Sequence, residues 1–478
     1  MAFVDGPLPQ KLKFIHGFGA VAFGVKDSGF SFFLLIFYNQ VLGMDAGLVS
    51  LALGAALLVD AVIDPILGNL SDRTYTRWGR RLPWLYAAAL PLALAWAVLW
   101  NPAIDGTPSF WELLGIAIVV RILLSACEVP SVSLVPEITA DYDERTTLFR
   151  YRYLSGWIGG IIMMLLAYTV FMPGPEGMLQ ADGYSMFGIF GAVMIFISVV
   201  GSAVGQHYLV AKLPDTRPPP FSLAKSFSEI HDAFSERAFI IFALGGLAAY
   251  VNQGMTFSIT NYVNLFVWQF ERIELIIYPI ALFVSVVIMF FVVGPMHRHW
   301  GKARSAVIGS LVAMVLALAP YALFIGGFWP TPGSVQSTTL VFAFLVVANL
   351  FGIVVMISGS SMIAEIVEAY QERTGRRAEG SFYSGNWFVQ KCATGVGILL
   401  TGQIINLAGM PEGATPGEVP FEVLRDMLLL YGVVTVVLAL TAAYWLGRFP
   451  IDRASHEARL KALDAAARGD IDAGTIVP

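Results

Sequence analysis

The chain has 478 residues, 57% of them hydrophobic and only 13% charged, which is more apolar material than a soluble globular protein of this length hides in its core. That composition excludes a soluble globular fold and points to a polytopic membrane protein, with the lipid bilayer as a partner and no nucleic acid. The formal net charge of −5 says little, because in a membrane chain the placement of Lys and Arg matters more than their sum.

The opening stretch MAFVDGPLPQKLKF lacks the charged n-region, short apolar core and small-residue cleavage site of a cleaved signal, so the first helix is expected to direct insertion. Twelve runs long and apolar enough to span a bilayer follow, near 11–42, 46–70, 82–101, 110–137, 146–172, 183–211, 238–269, 273–297, 303–327, 337–369, 379–408 and 421–447. Between the sixth and seventh lies KLPDTRPPPFSLAKSFSEIHDAFSER, polar and proline-rich, which reads as a linker. The expected fold class is an all-α membrane protein, twelve transmembrane helices in two six-helix bundles: residues 1–211, a cytoplasmic linker 212–237, residues 238–447 and a cytoplasmic tail 448–478. In that tail, ASHEARLKALDAAARG reads as a short amphipathic helix. Cys127 and Cys392 both sit in apolar runs and are expected to pack as small hydrophobes without a disulfide.

Every second loop, starting with GMDAG after the first span, is nearly free of basic residues, Arg272 being the exception. The other set holds Arg73, Arg77, Arg80, Arg81, Arg145, Lys212, Arg217, Lys225, Arg298, Lys302, Arg304, Arg373, Arg376 and Arg377, so both termini are expected on the cytoplasmic side of the cell inner membrane. TRWGRR after the second span is echoed by RHWGKAR after the eighth, the corresponding place in the second half, as in the parallel repeats of major facilitator architecture. The run SDRTYTRWGRR puts Asp72, Arg73, Arg77, Arg80 and Arg81 at the end of the second span, where they serve either as a gating latch or simply as a positive-inside signal.

Depth turns topology into mechanism. Asp60 lies about 14 residues, or about 21 Å, into the second span, and Ser125 and Glu128 reach similar depth in the fourth. Asp27 beside Lys26 is about 16 residues into the first, and Lys391 about 13 into the eleventh. A charge at that depth costs about 2.5 to 3.5 kcal/mol on insertion scales, so these groups face one another or a wet cavity. Buried ion pairs that only fix packing, such as Lys26 or Lys391 with a nearby carboxylate, are the plainer reading; an excess of carboxylates over mid-membrane bases favours function. Arg121 is expected to pair with Glu128, two turns along. Asp60 and Asp64, at i and i+4, share a helix face and are close enough to share a proton or cation, with the Ser125 hydroxyl adding an oxygen. Na+ wants several oxygens and Ile63 supplies none, whereas a proton needs one carboxylate. No histidine lies at mid-span, which leaves out a histidine relay. In CEVPSVSLVPEIT, Pro130 and Pro136 free backbone carbonyls, as a cavity-lining helix tolerates, or simply kink it.

FGVKDSGFSFF, VDAVIDPILGNLSDRTYTRWGRRLPWL, EVPSVSLVPEIT and EIVEAYQERTGRRAEGSFYS together resemble the glycoside-pentoside-hexuronide:cation symporters of the major facilitator superfamily, the melibiose permease-like group, over essentially the whole chain. The resemblance implies that Asp60 and Asp64 stand where coupling carboxylates lie, with Ser125 assisting. It implies that Asp27 and Glu128 bind sugar and that Arg152 of RYRYLSG, or its near neighbour Arg150, is the sugar-site arginine. Lys26 and Lys391 match lysines beside that cavity. Three positions depart from the group's pattern: Ile63 replaces an asparagine that helps bind Na+, Val132 a tryptophan on which a sugar stacks, and Trp387 a smaller polar residue.

The sequence therefore reads as a cation-coupled secondary active symporter, not an enzyme, that moves a glycoside or related polyhydroxylated solute by alternating access. It is expected to act as a monomer, without a cofactor. H+ is the favoured coupling ion, and Na+ at Asp60 and Asp64 the alternative. Two other readings remain open: the same fold carrying an amphiphile such as a lysophospholipid, as the animal transporters that resemble this family do, and a solute sensor that does not transport. No HExxH, GxSxG, metal-ligand cluster or phosphate-cradling loop suggests an enzyme.

Overall fold

The computed structural model describes residues 7–102, 106–139, 141–211, 223–375 and 378–451. Lys212, Arg217, Arg376, Arg377 and the expected tail helix lie outside the described residues. Twelve helices among the described residues are long and apolar enough to cross a membrane. They are α1 Gln10–Val41, α2 Ala46–Asp72, α3 Leu82–Trp100, α4 Phe110–Ile138, α5 Asp143–Phe171, α6 Ala181–Val210, α7 Arg237–Val267, α8 Arg272–Trp300, α9 Lys302–Ile325, α10 Val335–Thr374, α11 Glu379–Leu407 and α12 Phe421–Leu446. Each expected span is present within a few residues at its ends, with α10 exceeding its expected length the most. The expected linker is not all coil: Leu223–Phe234 forms a helix whose Ile230 and Ala233 are buried.

Local chemistry sets several helix ends. Asp45 caps α2 by accepting from the Leu48 backbone at 2.9 Å, and Ser109 with Glu112 forms a capping box at the start of α4. Gly375, left-handed at φ 68°, ends α10. α1, α5 and α7 each widen into a π-helical turn at the same end, Phe37–Val41, Ala167–Phe171 and Val263–Val267. The large apolar side chains left exposed along the helices, such as Leu94, Phe290, Phe291 and Val437, form the surface a bilayer's hydrocarbon would cover.

Helices α1–α6 pack as one bundle and α7–α12 as another, and the most extensive contact between the two is α2 against α11. Small residues make it possible. A Cβ on Gly402 would meet the Ala46 carbonyl at 2.3 Å and the Ser50 hydroxyl at 2.1 Å, and one on Gly54 would meet the Gly395 carbonyl at 2.8 Å. Close backbone approach of this kind is how helices associate where lipid gives no hydrophobic drive.

The two bundle ends differ. At the end carrying Arg73 to Arg81, the basic face, Arg81 is buried and ion-paired to Asp72, reaches Glu137 at 3.4 Å and donates to Ser71 at 2.5 Å. The second half repeats the device with Lys302 on Glu365 at 2.8 Å. At the opposite face the bundles are hydrogen-bonded to each other: Tyr262 donates to Asn39 at 2.8 Å, Asn261 to the Phe32 carbonyl at 2.7 Å, and Tyr168 to Asn261 at 2.9 Å. Gln40 there donates to the Pro411 carbonyl at 3.0 Å and accepts from the Ala414 amide at 2.9 Å.

Candidate coupling and substrate site

The α2–α11 contact brings the ionisable residues of two bundles together at mid-depth. Asp60 and Asp64, one turn apart on α2, both face Lys391 of α11, whose ammonium stands 2.9 Å from Asp60 and 2.5 Å from Asp64. Ser125 of α4 donates to the other Asp60 oxygen at 2.5 Å. The carboxylates are not equivalent: the Asp60 side chain is only 1% exposed and that of Asp64 25%. One end of the site is locked in protein, while the other reaches the cavity.

Arg121 is a correction. The sequence places Glu128 within its reach along α4, but its guanidinium turns to Asp60 at 3.5 Å and lies over the Phe30 ring at 4.1 Å. An aromatic face and a buried carboxylate on neighbouring helices offer it more than a carboxylate on its own helix. The expected excess of carboxylates also disappears. Asp27, Asp60, Asp64 and Glu128 are matched by Lys26, Arg121, Arg152 and Lys391.

Arg152 is buried and Arg150 exposed, so the α5 register turns Arg152 inward. It donates to Ser131 at 2.7 Å, lies over Phe23 at 5.7 Å and is within electrostatic reach of Glu128. Asp27 is paired to its neighbour Lys26 at 2.5 Å, yet its side chain is 68% exposed. A carboxylate that wet at mid-helix lines a water-filled space. The opposite face is tied by the hydrogen bonds across Asn39, Gln40 and Asn261. Trp387, one turn from Lys391 on α11, is 43% exposed. Lys391, expected beside the substrate cavity, spans Asp60 and Asp64, and Glu128 is within its electrostatic reach. Val132 and Ile63 are half-buried, neither offering oxygen.

The five charged residues from the end of α2 onward divide. Asp72 and Arg81 form the ion pair described above, whereas Arg73 donates to Asn69, Arg77 lies over Trp78 at 5.7 Å, and Arg80 is half-buried. Sequence reasoning missed the seam at the opposite face. Its signal was Asn39, Gln40 and Asn261, amides inside otherwise apolar spans.

Two six-helix bundles enclosing a charged, wet cavity that is tied shut at one face are the build of a major facilitator transporter. Comparisons with known proteins agree. The family described as MFS/sugar transport protein matches residues 15–453. The chain belongs to that family, as a member of its glycoside-pentoside-hexuronide:cation symporter-like group. It is 26% identical to an uncharacterized symporter of Synechocystis over 92% of this chain and 95% of that one. A putative glycoside/cation symporter of Escherichia coli is 24% identical, with 90% of each chain covered. The isoprimeverose transporter of Lactiplantibacillus pentosus is also 24% identical, over 84% of this chain and 81% of that one. Among solved structures, a bacterial homolog of the human lysosomal transporter Spinster, inward-facing and occupied, superposes with TM-score 0.66 at 14% identity, covering 93% of this chain and 98% of that chain. These names describe the relatives; for this chain they establish a multi-pass membrane transporter.

Proposed function

We propose that this transporter is a proton-coupled symporter for a glycoside or related polyhydroxylated solute, working by alternating access as a monomer. Its basic face is cytoplasmic in the cell inner membrane, following the positive-inside bias. The observation that carries the reading is the Lys391 ammonium held between Asp60 and Asp64, because it joins the two bundles through the groups a coupling ion would address. A proton arriving at Asp64 weakens that bridge and leaves Lys391 free to turn toward Glu128 and a solute. Asp27 and Glu128 suit hydroxyl recognition, since a carboxylate accepts two hydrogen bonds from a vicinal diol. Arg152, Lys26 and Trp387 complete the substrate wall. One chain holds every group named, so no second copy is needed.

Coupling is read by uptake into proteoliposomes under separately imposed pH and Na+ gradients, with solutes first chosen by ligand-induced thermal stabilisation of the purified protein. A pH gradient alone is expected to drive accumulation and a Na+ gradient alone to fail. Accumulation driven by Na+ with no response to pH overturns the proton assignment. Stabilisation by lysophospholipids and not by glycosides overturns the cargo, and binding without counterflow makes the protein a sensor.

A further inference from the structure

We propose that Arg121 determines the ion specificity of this site, as a tethered cation standing against Asp60 where a sodium ion would have to bind. The inference rests on the proton-coupled reading and deepens it by naming the residue that enforces it.

A sodium ion must replace its hydration shell with several oxygens at once. The natural set here is the facing oxygens of Asp60 and Asp64 with the Ser125 hydroxyl. One Asp60 oxygen already accepts from Ser125 at 2.5 Å. The other faces two cations, Lys391 at 2.9 Å and Arg121 at 3.5 Å. The two cations differ in freedom. Lys391 is 22% exposed at its side chain and has Glu128 within electrostatic reach, so it can leave the carboxylates without leaving the wet cavity. Arg121 is only 5% exposed and stacked on Phe30 at 4.1 Å, and it remains when Lys391 departs. A sodium ion bridging the carboxylates would then sit within a few ångströms of a fixed guanidinium, in a setting where like charges are poorly screened. A proton meets no such obstacle. It needs one oxygen of Asp64, the carboxylate away from Arg121, and forms a covalent O–H bond there. Arg121 thus keeps Asp60 as a permanently paired anchor and leaves Asp64 as the exchanging group.

The test reads Na+ binding directly, by thermal unfolding of the purified full chain in detergent as Na+ is titrated against choline at constant ionic strength. The unmodified protein is expected to show no Na+-specific shift in Tm. Arg121→Gln, which removes the charge and offers an amide oxygen, is expected to gain a saturable Na+-specific rise. Arg121→Ser, smaller and open to water, carries the same expectation should the glutamine variant not be recovered. Arg121→Lys, which keeps the charge, and the paired change Arg121→Gln with Asp60→Asn, which removes one of the carboxylates, are both expected to stay silent. If the unmodified protein already responds to Na+ in an Asp64-dependent way, the proton reading and this inference fall together. If the unmodified protein is silent and both neutral variants are silent too, the role of Arg121 is overturned while the proton reading stands. A Na+ response in Arg121→Lys equal to that of the neutral variants also overturns it, since charge would then not be the cause.

Discussion

Asp60 and Asp64 share a helix face yet live in different surroundings, and under the proposed proton coupling that difference divides their work. Asp60 is enclosed by Ser125, Arg121 and Lys391, while Asp64 meets Lys391 from the cavity side. In the proposed mechanism, replacing Asp64 by Asn removes the exchanging group and leaves the anchor. Accumulation against a gradient is expected to vanish while substrate exchange across the membrane persists, because exchange needs the solute site and no net ion release. Proteoliposome uptake and counterflow measured side by side check this, and a variant that still concentrates solute contradicts it. The pair itself was legible in the sequence, since i and i+4 spacing is a property of one helix. The partners of these carboxylates were not. Arg121 had Glu128 on its own helix as the nearest candidate, and only the packing of α2 on α4 brings Asp60 closer.

At the scale of helices, the site depends on how near α2 and α11 come. Gly402 lies against Ala46 and Ser50 with no room for a side chain. Gly402→Val is expected to force the helices apart, to cost about 1–3 kcal/mol as overpacking does, and to lengthen the Lys391 bridges. Loss of thermal stability together with loss of coupled uptake is the expected pattern; a stable variant with intact coupling would mean that the site does not rely on this contact. The basic loops offer a second test. Asp72 and Arg81 tie the end of α2 to Glu137 of α4 within one bundle, and Lys302 with Glu365 does the same in the other. If the first cluster also shapes the surface that closes against the second bundle, Asp72→Ala raises the inward-open population. Cysteines introduced along the cavity should then react faster from the cytoplasmic side, and unchanged reactivity leaves the cluster a topogenic signal. Helix existence was readable from run length and hydropathy, because a bilayer's thickness dictates both. The Leu223–Phe234 helix was not, since its proline-rich flank reads as coil and its buried face is defined by tertiary packing on α11, α2 and α7.

Across the whole molecule, the seam of Asn39, Gln40, Asn261 and Tyr262 is what must open if the cavity is to face the other way. Its bonds are neutral, each worth about 0.5–1.5 kcal/mol net, so the closed state is held by several weak ties. Tyr262→Phe removes the hydroxyl that Asn39 accepts and is expected to shift the population modestly toward the outward-open form. The readout is faster labelling, from the far side, of a cysteine placed beside Asn264, and no change in rate would show that this bond does not help to hold the seam.

Amino-acid order alone determined the twelve spans, their division into two halves, the side on which the basic loops gather and the family, because each depends on local run length, charge placement or short motifs. The Asp60–Asp64 pair belongs with these, as does the echo of TRWGRR in RHWGKAR. Which cation meets which carboxylate was decided only by tertiary structure. A buried charge takes the partner that packing brings nearest, and in this protein Lys391 arrives from the other bundle through glycine-lined contact, while Arg121 arrives from α4 across the ring of Phe30.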